Sequence, residues 1–166
     1  DHAGDAEILR AAENLSDTKQ RIHLVGGRFT DAIARYMTSH LRIIRPGVFH
    51  IDGQEAGWRD RLVDMGKKDV LVVFDIRRYQ DSLAVYAEKA ASRGVTVILF
   101  TDQWLSPVAR VARQVLTCRT AVPSAFDSTV SMLALAEAVI TRVTQKVGKG
   151  VAARMEELEQ LRGGKI

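Results

Sequence analysis

The sequence predicts an α/β protein, a three-layer sandwich around a five-stranded parallel sheet with flavodoxin-like strand order. Three observations predict it. Val70–Phe74 is an unbroken apolar run and Val95–Phe100 reads as a second fully buried strand, as expected for strands covered by helices on both faces. Strand-like and helix-like segments alternate five times with short connections, which calls for parallel strands and helical crossovers. Right-handed crossovers leave few topologies, and the flavodoxin-like order places its switch point between the first and third strands.

The elements follow in order. Ala6 to Thr18 reads as a helix with Ile8, Ala11, Ala12 and Leu15 on one stripe. Arg21–Val25 is a strand, broken sharply by Gly26-Gly27. Thr30-Asp31 caps a helix in which Ala32, Ile33, Tyr36, Met37, His40, Leu41 and Ile44 keep helical spacing, and Pro46-Gly47 ends it. Val48–Ile51 is a short strand. Gln54 to Met65 is a helix with Trp58, Leu62 and Met65 inward, stopped near Gly66. After the strand at Val70–Phe74, Asp81 to Arg93 is helical, with Leu83, Tyr86, Ala87 and Ala90 as its buried stripe. Ser106-Pro107 is a helix start, a capping hydroxyl followed by proline at the first helical position. Val115–Cys118 is the fifth strand. Past Pro123, Ser124 or Asp127 caps a long helix reaching about Lys146. Its residues from Val130 to Val143 are apolar nearly all round, so it should be buried on several sides, and another subunit could supply one of them. Gly148 and Gly150 form a hinge. Val151, Met155, Leu158 and Leu161 mark a terminal amphipathic helix, either a strap to a second copy or a cover for its own core.

The bulk numbers narrow the function. A chain of 166 residues is about one domain with a full core. Net charge is +4, from 24 basic and 20 acidic residues. The basic residues are scattered, unlike the dense stripe of a nucleic-acid-binding face, so the excess permits an anionic partner without arguing for one. A single cysteine, Cys118, allows no internal disulfide and suits a reducing cytoplasm. No apolar run approaches the roughly 20 residues of a membrane span, and no signal-peptide pattern opens the chain.

The chemistry concentrates where strands one and three end. In open α/β sheets, ligands bind outside the carboxyl ends of the strands. Asp75, Arg77, Arg78 and Tyr79 follow the third strand directly. Two guanidinium groups there form a fork for a carboxylate or phosphate, or else pair with Asp75 and Asp81. Gly26-Gly27 before a capped helix brings an anion to the helix N-terminus, though a plain tight turn needs the same residues. Cofactor motifs are missing: there is no G-x-G-x-x-G and no P-loop lysine. The four histidines (His2, His23, His40, His50) lack ligand spacing, so no metal site is expected. Cys118 reads as a small buried hydrophobe, and Trp58 and Trp104 as packing residues, with Trp104 also able to wall a pocket.

Together these features resemble the SIS (sugar isomerase) domain, in the form carried by RpiR-type bacterial transcriptional regulators. The first family motif, G-x-G-x-S after a strand, is similar to Val25-Gly26-Gly27-Arg28-Phe29-Thr30. The second, S-x-S-G-x-T, falls on Asp75-Ile76-Arg77-Arg78-Tyr79-Gln80. The third resembles Phe100-Thr101 followed by Ser106-Pro107-Val108-Ala109. The resemblance implies one SIS-type domain over 1–166: a connecting helix (1–20), an α/β core (21–146) and a C-terminal helix (147–166). It also implies an effector-sensing and dimerising role, with a small anionic sugar derivative, a phosphosugar above all, as effector. A homodimer or tetramer would form through the helix around Val130–Val143 and the C-terminal helix. DNA would be reached only through an N-terminal helix-turn-helix domain that this chain lacks.

The ligand-binding residues this implies are Gly26, Gly27, Arg28, Thr30, Asp75, Arg77, Arg78, Thr101 and Asp127, with no catalytic residue and no cofactor. The sequence departs from the family where Arg28, Asp75, Arg77 and Arg78 replace glycine and hydroxyl positions. A neutral cradle has become a charged one, suited to a phosphosugar, a sugar acid or internal ion pairs. The alternatives are a phosphosugar isomerase or a stand-alone sugar-phosphate-binding protein. For an isomerase, Asp75, Asp102, Asp127 and Glu55 are the nearest candidates for a general base, without a convincing Glu-His arrangement.

Overall fold

The structure, a computed structural model, describes residues 2–163. Helix α1 (His2–Ser16) leads into strand β1 (Arg21–Gly26), helix α2 (Asp31–Ile44), β2 (Val48–His50), α3 (Glu55–Leu62), β3 (Asp69–Asp75), α4 (Asp81–Ser92) and β4 (Thr96–Asp102). A single 3₁₀ turn (Pro107–Arg110), β5 (Gln114–Cys118), α5 (Val130–Val147) and α6 (Lys149–Gly163) complete the chain. The sheet is parallel throughout, in the order β2-β1-β3-β4-β5. That is the expected five-stranded, flavodoxin-like order.

Side chains alternate across the sheet with period two and so build two cores. Ile22, Leu24, Val70, Val72, Phe74, Ile98 and Phe100 face α1, α2 and α5. Val25, Leu71, Val73, Val97 and Leu99 face α3, α4 and the 3₁₀ turn. Every residue of β3 is buried, as befits the central strand. Phe74 and Phe100 stack with centroids 4.6 Å apart, joining β3 to β4 within the first core.

Three expectations change. The Ser106-Pro107 start does act as a cap, with the Ser106 hydroxyl accepting the Val108 amide. Only one 3₁₀ turn follows, because the Arg113 amide already donates to Val97 and β5 opens at Gln114. Too few residues remain for an α-helix. Neither Ser124 nor Asp127 caps the long helix: α5 begins at Val130, and Asp127 is engaged elsewhere. The buried face of α5 is Met132, Ala136, Val139, Ile140 and Val143, while Val130 is 72% exposed. In α6 only Val151 is buried, and Met155 and Leu161 lie on the surface. Arg154 anchors α6 by donating twice to the Arg42 carbonyl near the end of α2. No helix among the described residues is long and apolar enough to cross a membrane.

Candidate functional site

Parallel pairing brings the ends of three strands level. Gly26 lies opposite Phe74, and Asp75 opposite Thr101. The loops leaving β1 and β3 diverge from this line to opposite faces, opening a crevice at the switch point. Residues 119–129, irregular between β5 and α5, pass along its rim. The result is a cleft of about 940 Å³.

Of the nine expected ligand-binding residues, seven line the cleft: Gly27, Arg28, Thr30, Asp75, Arg77, Arg78 and Asp127. Gly26 and Thr101 do not. A Cβ on Gly26 would stand 2.5 Å from the Asp31 Cα, so this glycine is required by the tight entry into α2. Thr101 is fully buried, and its hydroxyl accepts the Ser106 amide at 3.0 Å. Thr30 is buried too, its hydroxyl donating to the Phe74 carbonyl (2.6 Å) and accepting from the Gly27 amide (2.8 Å). It therefore ties β1 to β3 and builds the cleft floor.

The arginines divide into two kinds. Arg77 forms a two-pronged ion pair with Asp127, Nε to Oδ2 at 2.7 Å and Nη2 to Oδ1 at 2.5 Å. Its guanidinium lies over the Trp104 ring, 4.2 Å from the centroid. Trp104 is thus a wall behind Arg77. The hydrogen bond from Arg77, with its charge and that of Arg78, holds the Asp127 carboxyl below its usual range. Arg28 and Arg78, by contrast, make no ion pair among the described residues. Arg28 lies 5.3 Å from the centroid of the Phe29 ring. Arg78 adopts a left-handed backbone with φ of 58°, unusual for a residue with a Cβ. Phe29 and Phe126, both largely exposed, meet edge to face at 6.2 Å at the cleft.

Two aspartates shape the β3 loop from below. Asp102, fully buried, accepts the Arg77 amide (2.6 Å), the Tyr79 hydroxyl (2.7 Å) and the Trp104 amide (3.0 Å). Held by these three donors, it positions the loop. Asp75 accepts the Ser106 hydroxyl at 2.5 Å and the Gln80 amide. Burial nevertheless pushes its carboxyl up to about 6, against these stabilising bonds. The folded protein then holds the Asp75 proton to higher pH than the unfolded chain does. This contribution to stability is full below 3.8 and lost as pH rises through about 6. Measured against Asp75→Asn, the wild type is expected to lose on the order of 3 kcal/mol between about pH 4 and pH 7. Urea unfolding of both proteins across that range checks it, and a pH-independent difference would mean Asp75 does not titrate there.

Sequence reasoning left out Gln80, although it closes the second motif. Its side-chain carbonyl accepts the Arg28 amide at 2.5 Å, bridging the β3 and β1 loops. Its place just before α4 was the available signal. The remaining candidates sit apart from the main cleft. Glu55 accepts the Ser82 hydroxyl and faces a smaller cleft across Gln80. His23 pairs with buried Asp69 (2.7 Å), His50 with Asp31 (2.8 Å), and His40 contacts the Tyr36 carbonyl. The side chain of His2 lies outside the described residues. No cluster of metal-ligating side chains occurs among the described residues. Cys118 is half-buried, its thiol pushed up to about 11 by burial.

A doubly wound parallel sheet with its cleft at the switch point defines the class, an open α/β domain. The SIS domain model matches residues 14–142, and the chain belongs to that family. No curated protein matches the sequence. Among solved structures, the sugar isomerase domain of an RpiR transcription factor from Sphaerobacter thermophilus aligns with a TM-score of 0.85 at 21% identity, over 93% of this chain and 86% of that one. The Vibrio vulnificus NanR protein complexed with ManNAc-6P gives 0.80 at 15% identity, over 95% and 60%. The C-terminal domain of glucosamine-fructose-6-phosphate aminotransferase from Francisella tularensis gives 0.67 at 20% identity, over 87% and 40%. At these identities the likeness is one of fold.

Proposed function

We propose that this chain is the effector-sensing domain of an RpiR-type transcriptional regulator, and that its cleft binds a phosphosugar or related anionic sugar derivative. One observation carries the reading. Arg28 and Arg78 bring two guanidinium groups without ion-pair partners among the described residues to the cleft where α2 begins. Helix N-termini and guanidinium forks both favour anions. The fold likeness to an RpiR sugar isomerase domain and to NanR bound to ManNAc-6P supports the regulator over other members of the family. DNA contact would come through an N-terminal helix-turn-helix domain. Pairing of two copies would use the apolar flank of α5 and the exposed Met155 and Leu161 of α6, in the cytoplasm.

A calorimetric titration over a panel of sugar phosphates and sugar acids tests the reading. Arg78→Ala is expected to weaken the tightest of them at least tenfold, since charge-assisted hydrogen bonds contribute about 1.5–3 kcal/mol. Unchanged affinity would remove Arg78 from the site.

A second reading, phosphosugar isomerase, rests on Asp75. A carboxyl titrating at about 6 beside the cleft is suited to moving a proton near neutral pH. Its two fixed hydrogen bonds and burial argue for a loop-holding role instead. Interconversion of an aldose phosphate and its ketose phosphate by the purified chain would decide for the enzyme.

A further inference from the structure

Two side chains of the protein already place oxygen atoms on donors that an incoming anion would use. The Asp127 carboxylate fills the in-plane fork of Arg77. The Gln80 side-chain carbonyl sits on the Arg28 amide, ahead of the first turn of α2. Both residues line the same cleft, and neither belongs to a regular element. Asp127 lies in the irregular 119–129 segment, and Gln80 is the extended residue just before α4.

Arg77 itself is fixed independently of Asp127. The Trp104 ring backs its guanidinium, and its amide is held by Asp102. Removing the Asp127 carboxylate would therefore leave an aimed fork, rather than a side chain released into solvent.

We infer that Asp127 and Gln80 are internal competitors for the anion seat, which a ligand must displace, and that Asp127 is in addition a specificity-determining residue that biases the cleft against single carboxylates. The inference rests on the anion-binding reading of this cleft. A carboxylate ligand replacing Asp127 on Arg77 exchanges like for like, against a rival tethered in the same chain at high effective concentration. A phosphate monoester carries about −1.5 to −2 charges near pH 7 and three acceptor oxygens. With two oxygens on the Arg77 fork it keeps a third oxygen and further charge for Arg28 or Arg78, where a carboxylate has only the outer lone pairs of the two oxygens already engaged.

The matched probes are glucose 6-phosphate and glucuronate, hexoses carrying phosphate or carboxylate at the same carbon. Each is titrated calorimetrically into the wild type, Asp127→Ala and Gln80→Ala, with Asp127→Asn replacing the alanine variant should that one melt early. Wild type is expected to prefer the phosphate at least tenfold. The Asp127 variant should bind both probes at least threefold tighter, glucuronate gaining more, so that the preference narrows. Gln80→Ala should tighten both probes with the preference kept. Tighter binding by the Asp127 variant where wild type is silent also supports the inference. Wild-type binding with no gain in either variant, or an Asp127 variant whose preference is unchanged, overturns it and leaves the anion site standing. Silence from all the proteins overturns the anion site, and this inference with it.

Discussion

Arg45→Ala is expected to destabilise the domain by about 3–5 kcal/mol, the loss of a buried hydrogen-bond network that leaves several carbonyls unpaired. Arg45 is 1% exposed, the largest fully buried side chain among the described residues. Among the described residues no carboxylate forms an ion pair with it, although the charge of Asp17 acts on it favourably. Instead the guanidinium donates to the carbonyls of Leu15 and Asp17 (2.8 Å each), Pro46 (3.0 Å) and Gln20. Those of Leu15, Asp17 and Gln20 lie at the end of α1 and in the turn before β1, beyond the reach of helical amides, and Pro46 follows Arg45 itself. One side chain thus caps α1 and fixes it to the strand that opens the site. Truncation leaves several buried acceptors unpaired, each costing about 1–3 kcal/mol in part offset by water entry. Arg45→Lys should recover little, because an ammonium cannot span four carbonyls as a planar fork does. Urea unfolding midpoints of the two variants check this, and a loss under about 1 kcal/mol would show that α1 is held by its apolar stripe alone.

Gly26→Ala comes second, with an expected cost of about 3 kcal/mol, at the upper end for overpacking. The added carbon would collide with the Asp31 nitrogen and lie 2.5 Å from its Cα. These are backbone atoms, so no rotamer relieves the clash. The first turn of α2 must retreat, and the bridge from Thr30 to the Phe74 carbonyl and Gly27 amide must stretch. That bridge forms the cleft floor, so anion affinity should fall together with stability. A folded Gly26→Ala protein with wild-type melting temperature and affinity would contradict the geometry. At Gly27 the nearest atom to an added carbon is the Gln80 Oε1, at 2.8 Å, the tip of a flexible side chain. Alanine there should disturb the Gln80 plug far more than the fold.

Much of the scaffold was legible beforehand. The buried runs of β3 and β4, the alternation of elements and the Gly26-Gly27 break all depend on neighbours a few residues apart. Hydropathy period and turn chemistry report such things directly. The motif residues on β1 and β3 pointed to one cleft, and seven of the nine expected residues line it. The misreadings came where local signals met a competing demand. Ser106-Pro107 signals a helix in any context, but the start of β5 at Gln114 cuts it to one turn. Asp127 has the chemistry of a helix cap, yet Arg77, 50 residues earlier, holds it. Arg45 carries no local signal of burial at all, because what covers it is α1, some 30 residues away in the chain.

By itself, the sequence determined the fold family, the strand order, the crevice and the residue types that reach it. The strand order and the crevice follow from periodicity, steric limits at glycine and the handedness of crossovers, and the family from the motifs at the strand ends that resemble it. Only the tertiary structure decided which charges meet: Arg77 with Asp127, Gln80 on the Arg28 amide, Arg28 and Arg78 left at the cleft. The reason is that an ion pair depends on distances of a few ångströms between residues far apart in the chain, and the packed sheet sets those distances.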